Sequence, residues 1–228
     1  MPTPCQESEM INEAPKIQIK LPAANTRPTA DAIAAFQGVQ TGFVVDAMGG
    51  AGALHHTIKP MFADQSALCG IALTCDAGPA DNLAVLAALE HVQAGDIIIA
   101  SAHGHLECAI IGDLVLGMAK NSGALGFVTD GSVRDTRGIR QVGLPCFAVG
   151  VSPNSPHKSG PGIVGAPVVL GGLSIATGDL IVADEDGVVV VPQAQIETTA
   201  RQLAEVLAAE SVLDARVRDG LTSLPINT

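Results

Sequence analysis

Three residues in the middle of the chain have the types and spacing to do chemistry together. They are Asp113 in the stretch IGDLV, and Arg134 and Asp135 in TDGSVRD. Asp135 is the simplest direct ligand for a hard divalent cation, with Asp113 acting directly or through water. Mg²⁺ and Mn²⁺ prefer oxygen donors, and Mg²⁺ usually keeps several waters beside one or two carboxylates. Asp113 also opens a predicted helix, whose free backbone N–H groups and dipole favour an anion such as a carboxylate. Arg134, one of only seven arginines in the chain, adds a fixed cation beside both.

These residues can meet only if the elements carrying them return to one place. Leu114, Val115, Met118 and Ala119 fall on one helical face, and Asn121-Ser122-Gly123 supplies the chemistry that ends a helix. The run 125–129 then reads as a strand that stops at the turn Asp130-Gly131. Twenty residues, 114–133, separate Asp113 from Arg134. A strand–helix–strand crossover of that length brings the loop after the strand back beside the helix start, at the mouth of one pocket. Open α/β sheets commonly bind ligands there.

The rest of the chain suits such a scaffold. Residues 1–28 are polar, contain proline and show no period, so they read as an extension or arm preceding a single domain over 29–228. A helical pattern from Thr29 through AIAAFQGV comes next, then a second short helix that runs into a loop at Gly49-Gly50. Strands are expected at CGIALTCDAG and in AGDIIIASA, with a helix over Asp81–Gln93 that has Asp81 as its N-cap. GLPCFAVGV and a series of short segments through GDLIVADEDGVVVVP read as further strands, and Ala194–Asp219 reads as a long charged helix. This order gives a single layered α/β domain with a mixed sheet and a C-terminal helix.

Composition limits the partners. The formal net charge is −11, which argues against nucleic acid and requires a local cationic site for any anionic substrate. The core must be aliphatic, since the chain has five Phe and no Trp or Tyr. Cys5, Cys69, Cys75, Cys108 and Cys146 show no CxxC spacing, which fits reduced thiols in a cytoplasmic protein. No uncharged apolar run reaches membrane-spanning length, and no signal-peptide pattern opens the chain.

Other candidate groups carry less. His103 and His105 could share a strand face for zinc but have no third ligand with a mechanistic reason to join them, so a structural or pocket-lining role is expected. His55, His56 and His157 are loop residues with no assigned task. The DEDG segment lacks the remaining ligands of a calcium loop and reads as a hairpin turn. Lys16, Lys20, Lys59, Lys120 and Lys158 sit in polar, loop or helix-surface contexts, unsuited to a Schiff base. The glycine loop at 49–52 lacks GxGxxG spacing, and Ser132 has no His-Asp partners at recognisable spacing.

The pattern Asp113-x20-Arg134-Asp135, with GDLV before the helix and TDGSVRD after it, resembles the signature of one family. This family comprises class II pyruvate aldolases that cleave 4-hydroxy-4-methyl-2-oxoglutarate, together with the related RraA regulator of ribonuclease activity. VVDAMGGAGALHHTIKPM, DNLAVLAALEHVQAGDIII, GLPCFAVGVSPNSPHKSGPGIVGAPV and GDLIVADEDGVVVVP are similar to family segments in family order, so the resemblance spans roughly residues 30–222. It implies a swivelling α/β sandwich that assembles as a homotrimer or a dimer of trimers, with sites between subunits. It further implies that Gly112, Asp113, Leu114 and Val115 bind a keto acid's carboxylate through backbone groups, that Arg134 meets its keto oxygen, and that Asp135 holds Mg²⁺ or Mn²⁺. Family precedent suggests a carboxylate from a neighbouring subunit's C-terminal helix, with Glu210 the candidate and Glu205 on the same helix. The resemblance implies release of pyruvate by retro-aldol cleavage, with oxaloacetate decarboxylation through the same enolate. A protein-binding regulator and an enzyme for another keto acid are the alternatives.

Overall fold

Runs of Ile, Val, Leu and Ala fix where the central strands lie, because aliphatic and β-branched side chains pack well on a pleated sheet buried on both faces. The computed structural model describes residues 16–23 and 27–224. Strand β1 (Ile17–Ile19) is followed by the helical turn α1 (Ala30–Ile33) and helix α2 (Thr41–Ala47). The alternating centre comprises β2 (Lys59–Pro60), β3 (Leu68–Asp76), α3 (Leu83–Ala88), β4 (Asp96–Ser101) and β5 (Ala109–Ile111). It continues through α4 (Asp113–Asn121), β6 (Gly126–Thr129), β7 (Ser132–Val133), α5 (Thr136–Val142), β8 (Cys146–Ala148) and β9 (Gly150–Val151). Strands β10 (Gly162–Val164), β11 (Val168–Leu170), β12 (Leu173–Ile175), β13 (Leu180–Asp184) and β14 (Gly187–Val191) precede the long helix α6 (Ile196–Arg218).

Strands β3, β4, β6 and β8 pair in parallel in that order, and β2 runs antiparallel along the far side of β8. On its other edge β3 changes partner along its length. Leu68–Ile71 pairs antiparallel with β13, whereas Cys75 and Asp76 pair antiparallel with β10. Strand β14 closes a hairpin on β13 through the DEDG turn, as the sequence suggests. Strand β1 lies parallel to β10 at the outer edge, and Arg27 of the same N-terminal segment forms an ion pair with the buried Asp96. The rest of the segment read as an arm, residues 1–15 and 24–26, lies outside the described residues, and so does Cys5.

Alternation along the strands divides the core between layers. On β4, Ile98 and Ala100 face Leu116, Ile139 and Val85 of the helices α4, α5 and α3, while Ile97 and Ile99 face Leu170, Ile175 and Ile181 on the opposite side. A third cluster packs Phe36, Val44, Ile196 and Leu203 on Ile71 and Val182. The expected layered α/β fold with a mixed sheet and a C-terminal helix is observed. Four of the cysteines are buried free thiols, and burial pushes Cys69 up to about 11 and Cys146 up to about 12. Among the described residues no helix is long and apolar enough to cross a membrane.

Local differences from the sequence reading have plain causes. The pattern after Thr29 gives one helical turn and a 3₁₀ turn rather than a continuous helix, with Thr29 Oγ1 accepting from Ala32 N–H at 3.3 Å. The helix expected over Asp81–Gln93 is α3 followed by a 3₁₀ turn over Leu89–His91, and its boundary residue is Asn82. Asp81 still caps it from one position earlier, because its Oδ1 accepts from Leu83 N–H at 2.8 Å.

Candidate active site

A small parallel sheet brings the two halves of the 113–135 unit together. Strand β5 pairs with β7, placing Ala109 opposite Ser132 and Ile111 opposite Val133, and β9 lines the other side of β7. Arg134 N–H donates to Ile111 O at 3.0 Å, so the chain leaving β7 runs beside the chain entering α4. Gly112, Asp113, Leu114, Val115, Arg134 and Asp135 therefore line one cavity of about 350 Å³. Its remaining wall includes Asn82, Met118, Ser155 and Lys158.

The backbone at Asp135 explains how its carboxylate reaches this cavity. Asp135 is the boundary residue of α5 but adopts the left-handed conformation, φ 58° and ψ 43°, which aspartate tolerates better than most residues. Its side chain makes no capping bond to the helix. Instead its Oδ2 lies 3.3 Å from Arg134 Nε. Arg134 Nη1 also donates to Ser155 Oγ at 2.5 Å, so the guanidinium is held between a carboxylate and a hydroxyl.

Two glycines make room for the two acids. A Cβ on Gly112 would lie 2.4 Å from Asp135 Oδ2, and one on Gly138 would lie 2.0 Å from Asp113 Oδ2. Asp113 Oδ1 accepts from Leu114 N–H at 2.8 Å, so its other oxygen is the one that faces α5. Helix α4 departs from the sequence reading in its buried face. Leu116 and Ala119 are buried, whereas Leu114 and Met118 are 75% and 47% exposed, because they stand at the cavity rather than against the sheet.

The loop carrying Ser155 and Lys158 is fastened to the start of α3. Asp81 Oδ2 accepts from the N–H groups of Ser159 at 2.6 Å and Gly160 at 3.0 Å. Asn82 N–H donates to His157 O at 3.0 Å, and His157 N–H donates to Ala80 O at 2.7 Å. Burial of Asp81 works to raise its pKa, but the bonds from Leu83, Ser159 and Gly160, with His157 nearby, outweigh it and hold the carboxyl below its usual range. A folded value below the unfolded one stabilises the protein above the unfolded pKa, and that contribution is lost as pH falls through the folded value. Asp81→Ala should accordingly cost stability near pH 7, with the difference from the parent shrinking below about pH 3. Urea unfolding at both pH values checks this, and an equal difference at both would show that ionisation of Asp81 contributes nothing.

Asn82 is 3% exposed and its Nδ2 donates to Ile110 O at 3.1 Å, but its buried Oδ1 has no hydrogen-bond partner. The two carboxylates that line the cavity, Asp113 and Asp135, are hard oxygen donors, which suit Mg²⁺ or Mn²⁺. Among the described residues no group of three or more His, Cys, Asp or Glu is placed to hold an ion. The donor set thus fits a cation that takes one or two carboxylates and fills its shell with water and substrate.

Other residues weighed from the sequence lie elsewhere. Glu205 and Glu210 are on α6, which packs against α2, and neither lines this cavity within one chain. His103 Nε2 lies 2.7 Å from Asp76 Oδ1, and Ser132 Oγ donates to Leu106 O at 2.9 Å. Asn82, Ser155 and Lys158 escaped sequence reasoning. Asn82 looked like part of a capped helix start, and the loop holding the other two has no period to show where it folds.

Residues 41–190 match the family model described as "RraA-like: Aldolase/RraA". A Halalkalibacterium halodurans protein bearing the name "Putative 4-hydroxy-4-methyl-2-oxoglutarate aldolase" is 37% identical over 194 residues, which is 85% of this chain and 92% of that protein. Among solved structures, an uncharacterized protein from Pseudomonas syringae pv. tomato gives a TM-score of 0.75 at 26% identity, covering 86% of this chain and 96% of that one. Streptomyces coelicolor RraAS2, described as an unusual member of the RNase ES inhibitor RraA protein family, gives 0.74 at 26% identity, with 83% and 100% covered.

Proposed function

The chain belongs to the RraA-like, Aldolase/RraA family, and from that premise we propose that it is a divalent-metal-dependent class II pyruvate aldolase. Its substrates are 4-hydroxy-2-keto acids of the 4-hydroxy-4-methyl-2-oxoglutarate type, with oxaloacetate decarboxylation as a second activity. The observation that supports this best is the convergence of Asp113, Arg134 and Asp135 on one cavity at the N-terminus of α4.

In this reading the backbone of Gly112–Val115 receives the substrate's C1 carboxylate, since the start of a helix presents free N–H groups and positive potential. Arg134 points its donors at the C2 oxygen and is kept in place by Asp135 and Ser155. Cleavage of the C3–C4 bond sends an electron pair toward that oxygen, and a preorganised guanidinium stabilises the charge as it develops. Mg²⁺ or Mn²⁺, held by Asp135 with Asp113 directly or through water, would supply a Lewis acid at the same oxygen.

The proton of the C4 hydroxyl must also leave. Glu210 of a second copy is our candidate to orient the water that takes it, with Glu205 the neighbouring choice. Beyond Leu203 no residue of α6 is buried, and Leu114 and Met118 expose apolar surface at the cavity, both of which suit a homotrimer or a dimer of trimers. The proposed setting is cytoplasmic.

Pyruvate release from 4-hydroxy-4-methyl-2-oxoglutarate and from oxaloacetate, measured with Mg²⁺ and again with excess EDTA, tests the reading. Release that chelator abolishes and added Mg²⁺ restores is the expected result. No metal-dependent release, together with stoichiometric capture of a ribonuclease, would replace the enzyme with a regulator.

A further inference from the structure

We infer that Asp130 is a positioning residue for Arg134, which it seats by folding the 102–108 segment into register beside β7, an inference that rests on the aldolase reading above. Two neighbouring runs of chain leave the large sheet together and enter the small one together. Strands β4 and β6 last pair at Ala100 and Thr129, and β5 and β7 first pair at Ala109 and Ser132. Between these strands, residues 102–108 on one run answer only Asp130 and Gly131 on the other. The longer run has to be gathered in, or β5 cannot meet β7 and Arg134 does not reach the start of α4.

The Asp130 carboxylate gathers it. Its Oδ1 accepts from Ala102 N–H at 2.6 Å and its Oδ2 from Gly104 N–H at 3.0 Å, so both oxygens hold the turn that His105 N–H closes on Ala102 O. A Cβ on Gly131 would lie 2.8 Å from that of Ala102, so the two runs touch at this point. Ser132 Oγ holds the next part by donating to Leu106 O, and Arg134 N–H completes the series on Ile111 O. On the other side of the turn, His103 adopts the left-handed conformation at φ 53°, and its Nε2 lies 2.7 Å from Asp76 Oδ1 at the end of β3. Burial raises the pKa of Asp130 in spite of its backbone bonds and of His103 nearby, so solvation opposes the charge that strengthens those bonds.

The small sheet needs this outside constraint. Strand β7 is two residues long, and the ladder it forms with β5 already shifts register between Ala109 and Ile111. Pairing as short as this does not fix its own register. Asp130 sets it from beyond the end of the ladder, four positions before the guanidinium that the ladder delivers. Without that hold Arg134 moves relative to Gly112 and Asp135, and misplacement on the scale of an ångström costs about a hundredfold in rate.

Asp130→Asn should lower kcat for pyruvate release by about tenfold to a hundredfold and change KM less than about threefold, because the helix start that receives the carboxylate keeps its own backbone. Asp179→Asn is the matched control. Asp179 is buried, and its two oxygens likewise accept from backbone N–H groups, of Gln193 at 2.9 Å and Ala176 at 2.8 Å, away from the cavity. Whatever Tm that variant loses, its kcat should stay within about twofold of the parent. Since Asp130 acts through Arg134, adding Asp130→Asn to Arg134→Ala should cost less than about twofold more. An equal kcat loss in Asp179→Asn, or losses that multiply fully in the double variant, would overturn the assignment. If the parent protein releases no pyruvate, the aldolase reading fails, and a crystal structure of Asp130→Asn decides the positioning role by itself. Arg134 displaced from Ile111 and Asp135 supports that role, and Arg134 unmoved ends it.

Discussion

Arg134→Ala should reduce kcat/KM for pyruvate release by about 10²–10³ or more, the scale for removing a preorganised donor at a developing oxyanion. The loss should fall mainly on kcat, because the contact strengthens as the C2 oxygen gains charge. Stability should barely change. The side chain is partly exposed, and its partners are Asp135 and Ser155 at the surface of the cavity, where such pairs contribute little. Arg134→Lys should not recover activity, since an ammonium cannot reach the keto oxygen, Asp135 and Ser155 with the fixed fork of a guanidinium. Steady-state kinetics beside a thermal melt make the test. An Arg134→Ala enzyme that turns over at the parent's rate would remove Arg134 from the chemistry altogether.

The juxtaposition behind that prediction was legible in the sequence because it is local. A strand, a nine-residue helix and a second strand follow one another between Ala109 and Thr129, so the return of the chain was readable, although the β5–β7 pairing that seats Arg134 beside α4 involves Ser132–Val133, a stretch read as loop. The far wall was not legible, for a physical reason. It depends on Asp81 reaching the N–H groups of Ser159 and Gly160, 78 and 79 residues away, and a hydrogen bond across that separation leaves no periodic trace. The misread face of α4 has a related cause. Leu114 and Met118 satisfy a helical apolar pattern, but that pattern records where apolar side chains gather, not whether a sheet or a cavity lies opposite them.

Gly112→Ala should be nearly as damaging to catalysis as losing Asp135, yet almost silent in stability. Gly112 has φ −129° and ψ −168°, an extended conformation open to alanine, so the backbone pays nothing for the change. The new methyl would sit 2.4 Å from Asp135 Oδ2 and 3.3 Å from Arg134 Cγ. The carboxylate is the free end of a half-exposed side chain and can rotate away, so the fold should lose no more than about 1 kcal/mol. Rotation, however, moves the proposed metal ligand off its position, and misplacement on the scale of an ångström costs about a hundredfold in rate. We therefore expect a Tm within a few degrees of the parent, kcat/KM down by about 10², and a raised Mg²⁺ requirement. Full activity at the parent's Mg²⁺ concentration would mean that the orientation of Asp135 does not matter.

The N-terminal strand has a consequence for where this protein can be cut. Residues 41–190 carry the family match, but Ile17–Ile19 lies outside that span and covers the outer edge of β10, with Lys20 N–H donating to Val164 O at 2.7 Å. Helix α6 lies outside it too, and its Leu203 packs into the third core cluster. A chain trimmed to the matched span would bare the β10 backbone as a template for edge-to-edge association and leave Asp96 buried without Arg27. The span of the family model and the boundary of folding do not coincide in this molecule.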